Sequence, residues 1–82
     1  LAARVAANQL NFMTVDDLKE PKRVWAKIRY NHRGAWCTIE KTGEDEVMAS
    51  FEEPQRAVTP GQALVFYDGD YVLGGGTIIG GR

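Results

Sequence analysis

Five cationic side chains, Lys22, Arg23, Lys27, Arg29 and Arg33, fall between residues 21 and 39 with no carboxylate among them. Trp25, Tyr30, His32 and Trp36 are interleaved with them. Arginine can grip phosphate oxygens with two parallel hydrogen bonds, and aromatic rings can stack on unpaired bases, so this combination of types suits RNA. The segment carries +5 within a chain of net charge −1, which leaves −6 on the remainder. A domain with a pI near 5.8 lacks the overall signature of a general nucleic-acid binder, and the asymmetry is local. A solvated outer face, with Trp25 covering neighbouring strands, is the competing reading of the same residues.

Other chemistries find less support. His32 falls in an expected turn, and no Ser, Cys or carboxylate stands at a spacing that would pair it with a nucleophile. One cysteine forms no internal disulfide, and one cysteine with one histidine does not fill a structural zinc site. Cys37 reads as a small core side chain on an apolar strand face, since a reactive thiol needs cationic, partly open surroundings. Glu52 and Glu53 are neighbours in a strand and are expected on opposite faces. No catalytic residue and no metal ligand is nominated.

The elements that must carry the cations are short strands. Arg23 to Tyr30 alternates, with Val24, Ala26, Ile28 and Tyr30 on one face and Arg23, Trp25, Lys27 and Arg29 on the other. Asn31 to Gly34 turns the chain, and Trp36 to Lys41 returns with Cys37 and Ile39 on one face. After an acidic turn at residues 42–45, Val47, Ala49 and Phe51 point one way, while Met48, Ser50 and Glu52 point the other. Residues 1–12 alternate loosely, with Val5, Ala7 and Gln9 on one side, as an entering strand. Residues 13–21 read as a loop with one helical turn, because Thr14 suits a cap and Pro21 ends the run. The domain division is accordingly 1–21, an entering strand and linker, and 22–82, the barrel.

The densest punctuation lies between Glu53 and Gly76. Pro60-Gly61 suits the central positions of a type II turn, and Asp68-Gly69 a tight hairpin turn between two apolar runs. Arg56 and Gln62 flank the Pro-Gly turn. Gly74, Gly75 and Gly76 interrupt a good strand, as a bulge, a sharp bend or a point of close backbone approach. A phosphate-cradling loop is the weaker reading, since no Lys-Ser or Lys-Thr follows and no long helix begins there. Strands at roughly ten-residue spacing predict an all-β fold, a small antiparallel barrel of five to six strands with at most one or two short helical turns. No apolar run reaches the length of a membrane helix and no charged-then-apolar leader is present, so a soluble, cytoplasmic protein is expected. The start at Leu1 suggests a piece of a longer chain, and a processed chain would begin the same way.

The run Glu53-Pro-Gln-Arg-Ala-Val-Thr-Pro-Gly-Gln62, followed by Val65-Phe-Tyr-Asp-Gly69 and Leu73-Gly-Gly-Gly76, closely resembles the C-terminal end of the bacterial tRNA-specific 2-thiouridylases. Lys27-Ile28-Arg29-Tyr30 and Cys37-Thr38 fit the same family, and Asn11-Phe12 resembles its Asn-Trp. The resemblance implies a C-terminal β-barrel related to those of translation factors, which helps hold tRNA while other domains thiolate the wobble uridine. It further implies ATP for the parent enzyme, a persulfide relay from a donor protein, and catalytic and central domains as partners. The family's nucleotide-binding loop and catalytic cysteines have no counterpart here, and Cys37 matches neither. The resemblance places its tRNA contacts on Arg29-Tyr30 and Gln62, while Arg23, Lys27, Arg33 and Arg56 are weaker RNA-contact candidates by their charge and position alone. Residues 31–35 depart from the family's glutamine-containing loop. An older family label, a methyltransferase acting on 5-methylaminomethyl-2-thiouridylate, finds no methyl-donor site in this chain. The alternative function is a structural or protein-interaction barrel that packs on the catalytic domains without significant RNA contact.

Overall fold

Period-two alternation decides what fills the interior of this molecule. The computed structural model describes residues 1–28 and 33–82. Six strands are found among them: β1 (Ala2–Asn11), β2 (Lys22–Ile28), β3 (Ala35–Gly43), β4 (Glu46–Gln55), β5 (Ala63–Asp68) and β6 (Tyr71–Gly81). They close into an antiparallel barrel in the order β1-β4-β3-β2-β5-β6, so β1 is paired along both edges, with β4 and with β6. Closure leaves no long edge open to another chain.

The inward residues are those marked by the alternation: Val24, Ala26 and Ile28 of β2, Cys37 and Ile39 of β3, and Val47, Ala49 and Phe51 of β4 are all buried. Phe66, Leu64, Ile78 and Val5 complete the centre. Ala7, Ala26 and Ala49 are wholly buried among these larger side chains, because a barrel this narrow holds only a few bulky ones. One end is plugged by the segment after β1, a single 3-10 turn at Val15–Asp17 whose Val15 and Leu18 reach into the core. The Asp17 carboxylate accepts the Thr14 backbone N–H at 2.8 Å, which satisfies a donor at the start of the turn.

Three local details differ from simple alternation. Gln9 is exposed rather than aligned with Val5 and Ala7, because its φ of 52° marks an irregularity where the β1–β6 register slips between Asn8 and Asn11. The β5–β6 hairpin pairs Asp68 with Tyr71, so its loop residues are Gly69-Asp70, one position later than the Asp68-Gly69 reading. Glu52 and Glu53 do not divide between inside and outside; both are exposed. Between the pairs Arg4–Ser50 and Ala2–Gln55, β4 runs five residues while β1 runs two, so residues 51–54 leave that ladder and lose strict alternation.

The glycines of β6 mark close backbone approach. A Cβ on Gly75 would lie 2.3 Å from the Leu64 carbonyl oxygen of β5, and one on Gly76 would lie 2.7 Å from the Asn8 carbonyl oxygen of β1. Without side chains there, β6 draws both neighbours in and completes the closure.

Candidate nucleic-acid interface

The outer face of β2 presents Arg23, Trp25 and Lys27, the residues that alternate with its buried ones. Register sets their neighbours. Trp25 stands opposite Trp36 on β3 and opposite Tyr67 on β5, so three rings form a row across three strands. Trp25 and Trp36 meet edge to face, with centroids 5.3 Å apart and planes at 82°. A cation covers a ring at each end of the row. The Arg23 guanidinium lies 4.0 Å from the centroid of Trp36, and the Lys27 ammonium lies 5.2 Å from that of Tyr67.

The two cations differ in what else they touch. Arg23 donates through Nε and Nη2 to the Glu52 carboxylate at 2.6 and 3.0 Å. The pairing lowers the Glu52 carboxyl below its ordinary value and raises the Arg23 guanidinium above its own, and the shared hydrogen bond is the main cause of both shifts. Lys27 has no carboxylate partner among the described residues and is free to meet an anion. The chain entering β3 packs closely against the ring of Trp25. A Cβ on Gly34 would fall 2.3 Å from Trp25 Nε1, and Gly34 has a φ of +97°, a conformation that favours glycine.

At the end of β2, Ile28 pairs with Leu64, two residues beyond Gln62. The turn expected at Pro60-Gly61 is therefore set beside the point where β2 ends. Gly61 has a φ of +93°, and the Gln62 N–H donates to the Thr59 carbonyl at 3.3 Å across the turn. The Gln62 side chain folds back, its Oε1 accepting the Thr59 N–H at 2.9 Å. With Oε1 engaged, the Nε2 amide group has no partner among the described residues and presents two donors. The turn is tied to β6 by Gly61 N–H to Ile78 O and by Ile78 N–H to Gln62 O, both at 2.8 Å.

Of the residues singled out from sequence, Arg23 and Lys27 share one face, while Gln62 sits at the end of the barrel toward which β2 runs. Arg33 and Arg56 are exposed. Arg29, Tyr30 and His32 lie outside the described residues. Cys37 is buried, and burial, with a smaller contribution from Glu52, pushes its thiol up to about 12. A thiol so placed is protonated and inert at neutral pH. Tyr67, quoted above only within the run Val65 to Gly69, is not among the candidate site residues of the sequence; its place opposite Trp25 depends on the pairing of β2 with β5, which local pattern does not reveal. Among the described residues no group of His, Cys, Asp or Glu is arranged to hold a metal ion, and no helix is long and apolar enough to cross a membrane.

Comparison with known proteins joins this geometry to a family. The family model described as the aminomethyltransferase beta-barrel domain matches residues 3–78. The chain belongs to the aminomethyltransferase beta-barrel domain family. Within curated proteins it is 59% identical over 78 residues to the tRNA-specific 2-thiouridylase MnmA of Koribacter versatilis, covering 95% of this chain and 21% of that protein. It is 59% identical over 76 residues to its namesake from Lachnoclostridium phytofermentans, covering 93% and 21%. The similarly named protein of Pseudomonas entomophila matches at 50% over 72 residues, covering 88% and 19%. The chain thus spans about a fifth of the length of the curated relatives it matches, and the matched segment is their C-terminal part. As a beta-barrel domain of this family, the molecule offers two surfaces beside its core: an aromatic row with a cation at each end, and a glutamine turn at the barrel's end.

Proposed function

We propose that this chain is the non-catalytic, tRNA-positioning C-terminal barrel of an ATP-dependent tRNA 2-thiouridylase, which installs 2-thiouridine at the wobble position. The observation that carries this reading is the Pro60-Gly61-Gln62 turn. Its glutamine is held with the amide oxygen engaged and the amide nitrogen presented, at the end of the barrel where β2 stops. Such a group donates to phosphate, ribose or a base acceptor. In this reading Arg29, directly after Ile28 in the sequence, grips phosphate or a base edge, and Tyr30 stacks or hydrogen-bonds. Lys27, Arg33 and Arg56 add attraction to the backbone, and Arg23 contributes less because Glu52 neutralises it. ATP binding, the catalytic cysteines and receipt of sulfur from a relay protein belong to the catalytic and central domains of the parent chain, in the cytoplasm.

The test is tRNA binding by the parent enzyme with and without this domain, alongside Arg29→Glu and Gln62→Ala, titrated across salt. Loss of affinity with a salt slope flatter by about 0.9 per phosphate contact removed is the expected result for domain deletion and Arg29→Glu. Gln62→Ala should weaken binding with little change of slope. Unchanged binding by a folded Arg29→Glu enzyme would leave the barrel as a scaffold. That second reading, a structural or protein-interaction barrel, is favoured by one observation: carboxylates border the tryptophan pair on the outer face.

A further inference from the structure

Beside the tryptophan pair lies an open depression of about 350 Å³, lined by Trp25, Gly34, Ala35, Trp36, Glu52 and Glu53. Its walls are aromatic and its charge is negative, the reverse of a phosphate site. The two rings, set at 82°, make a corner in which a planar cation can lie flat on the face of one ring with its own edge turned toward the other. One cation already shows what the surroundings select: the Arg23 guanidinium lies over Trp36 and is clasped by both oxygens of Glu52. Glu53 is different. Its backbone carbonyl accepts the Gln55 side-chain amide, while its carboxylate has no ion pair among the described residues. Trp36 retains 42% of its surface exposed, so ring area remains open to a second partner.

We propose that this depression is a docking site for an arginine side chain presented by a protein partner, with Trp25 and Trp36 supplying the ring surfaces and Glu53 the counter-charge. The occupant repeats outside the chain the arrangement that Arg23 makes within it. Arginine fits better than lysine because its planar, weakly hydrated head stacks on a ring while its N–H groups reach a carboxylate. Nucleic acid fits poorly, since its phosphates would approach the uncompensated Glu53 carboxylate beside a Glu52 already satisfied by Arg23. The proposal is independent of the tRNA-positioning reading, which rests on the glutamine turn and Lys27.

Trp25 and Trp36 are the two tryptophans of the chain, so indole fluorescence reports this site directly. The experiment titrates the chain at low salt with an acetylated, amidated Gly-Arg-Gly-Arg-Gly peptide, its lysine and citrulline versions, and oligouridine. A saturable change with the arginine peptide is expected, weaker by about fivefold or more with citrulline and by about twofold to fivefold in Glu53→Gln. Circular dichroism identical to the parent chain confirms that the exposed Glu53→Gln substitution leaves the fold intact. No saturable change with the arginine peptide, or equal responses to arginine and citrulline, would overturn the proposal. So would saturable quenching by oligouridine that tightens in Glu53→Gln, an outcome that assigns the corner to RNA.

Discussion

The two ends of the aromatic row are built alike and behave oppositely. At each, a β2 cation leans across to a ring on the neighbouring strand, Arg23 to Trp36 and Lys27 to Tyr67. At the first, Glu52 closes the arrangement into a neutral cluster and Glu53 adds a further negative charge. At the second, the ammonium keeps its charge available. A strand that reads as uniformly cationic is divided by its neighbours into an acidic-aromatic half and a cationic half. A cation's value to a polyanion thus depends on what the adjoining strand places beside it, and residue type alone does not report this.

The largest disturbance is expected at the residue that steadies the ring shared by both halves. Gly34→Ala places a Cβ against the Trp25 indole in a left-handed backbone conformation, and should cost about 2 kcal/mol. For a domain of this size that is a fall in Tm of about 10 °C, measurable by thermal melting, with the edge-to-face tryptophan signal altered in near-ultraviolet dichroism. A melting temperature unchanged within a degree would mean that the 33–34 segment does not press on Trp25 as described.

The division of charge is tested by paired substitutions in the parent enzyme. Lys27→Gln is expected to weaken tRNA binding about threefold and to flatten the salt slope, whereas Arg23→Gln should change either by less than half as much. Equal effects would show that Glu52 does not neutralise Arg23. Glu52→Gln should erase the contrast by releasing Arg23, bringing tRNA binding up about twofold with a steeper salt slope.

Acid supplies a smaller effect. The Glu52 carboxyl is depressed, so the pairing is present above the ordinary carboxylate value of 4.5 and is lost only as pH falls through the lower folded value. Tryptophan emission should therefore hold steady through pH 4.5 and shift below it, and the shift should be missing in Glu52→Gln. The smallest signal lies beneath the acidic half, at Cys37. Its thiol is raised from 9.0 to about 12, so its contribution to stability is complete below 9 and is lost as pH rises toward 12. At pH 8 the folded chain should resist iodoacetamide while the denatured chain reacts within minutes. Rapid labelling of the folded chain would show the wall behind Trp36 to be open.

Much of the barrel was legible in the sequence because its information is local. Alternation in β2, β3 and β4 named the buried faces, and Pro60-Gly61 named its turn, since both depend on neighbours one to three positions away. The interface was legible only in part. Arg23, Trp25 and Lys27 could be placed on one face by counting in twos. Yet the pairing of Trp25 with Tyr67 depends on residues 42 apart meeting in one register, which no short window contains. The departure of residues 51–54 from the β1 ladder was hidden for a similar reason, and it brings Glu53 beside Glu52.

The pairing of β1 with β6 carries a consequence for synthesis. The seam that closes the barrel joins Val5 to Gly81, and Arg82 exchanges backbone hydrogen bonds with Arg4. During synthesis β1 leaves the ribosome before its partner β6, so until Thr77–Arg82 clears the exit tunnel the sheet stands open with two bare edges. Folding of this domain is a late event that waits on its final strand. A premature stop or a frayed β6 therefore exposes an adhesive edge along β1, and gives a chain prone to aggregate rather than one that is merely shorter.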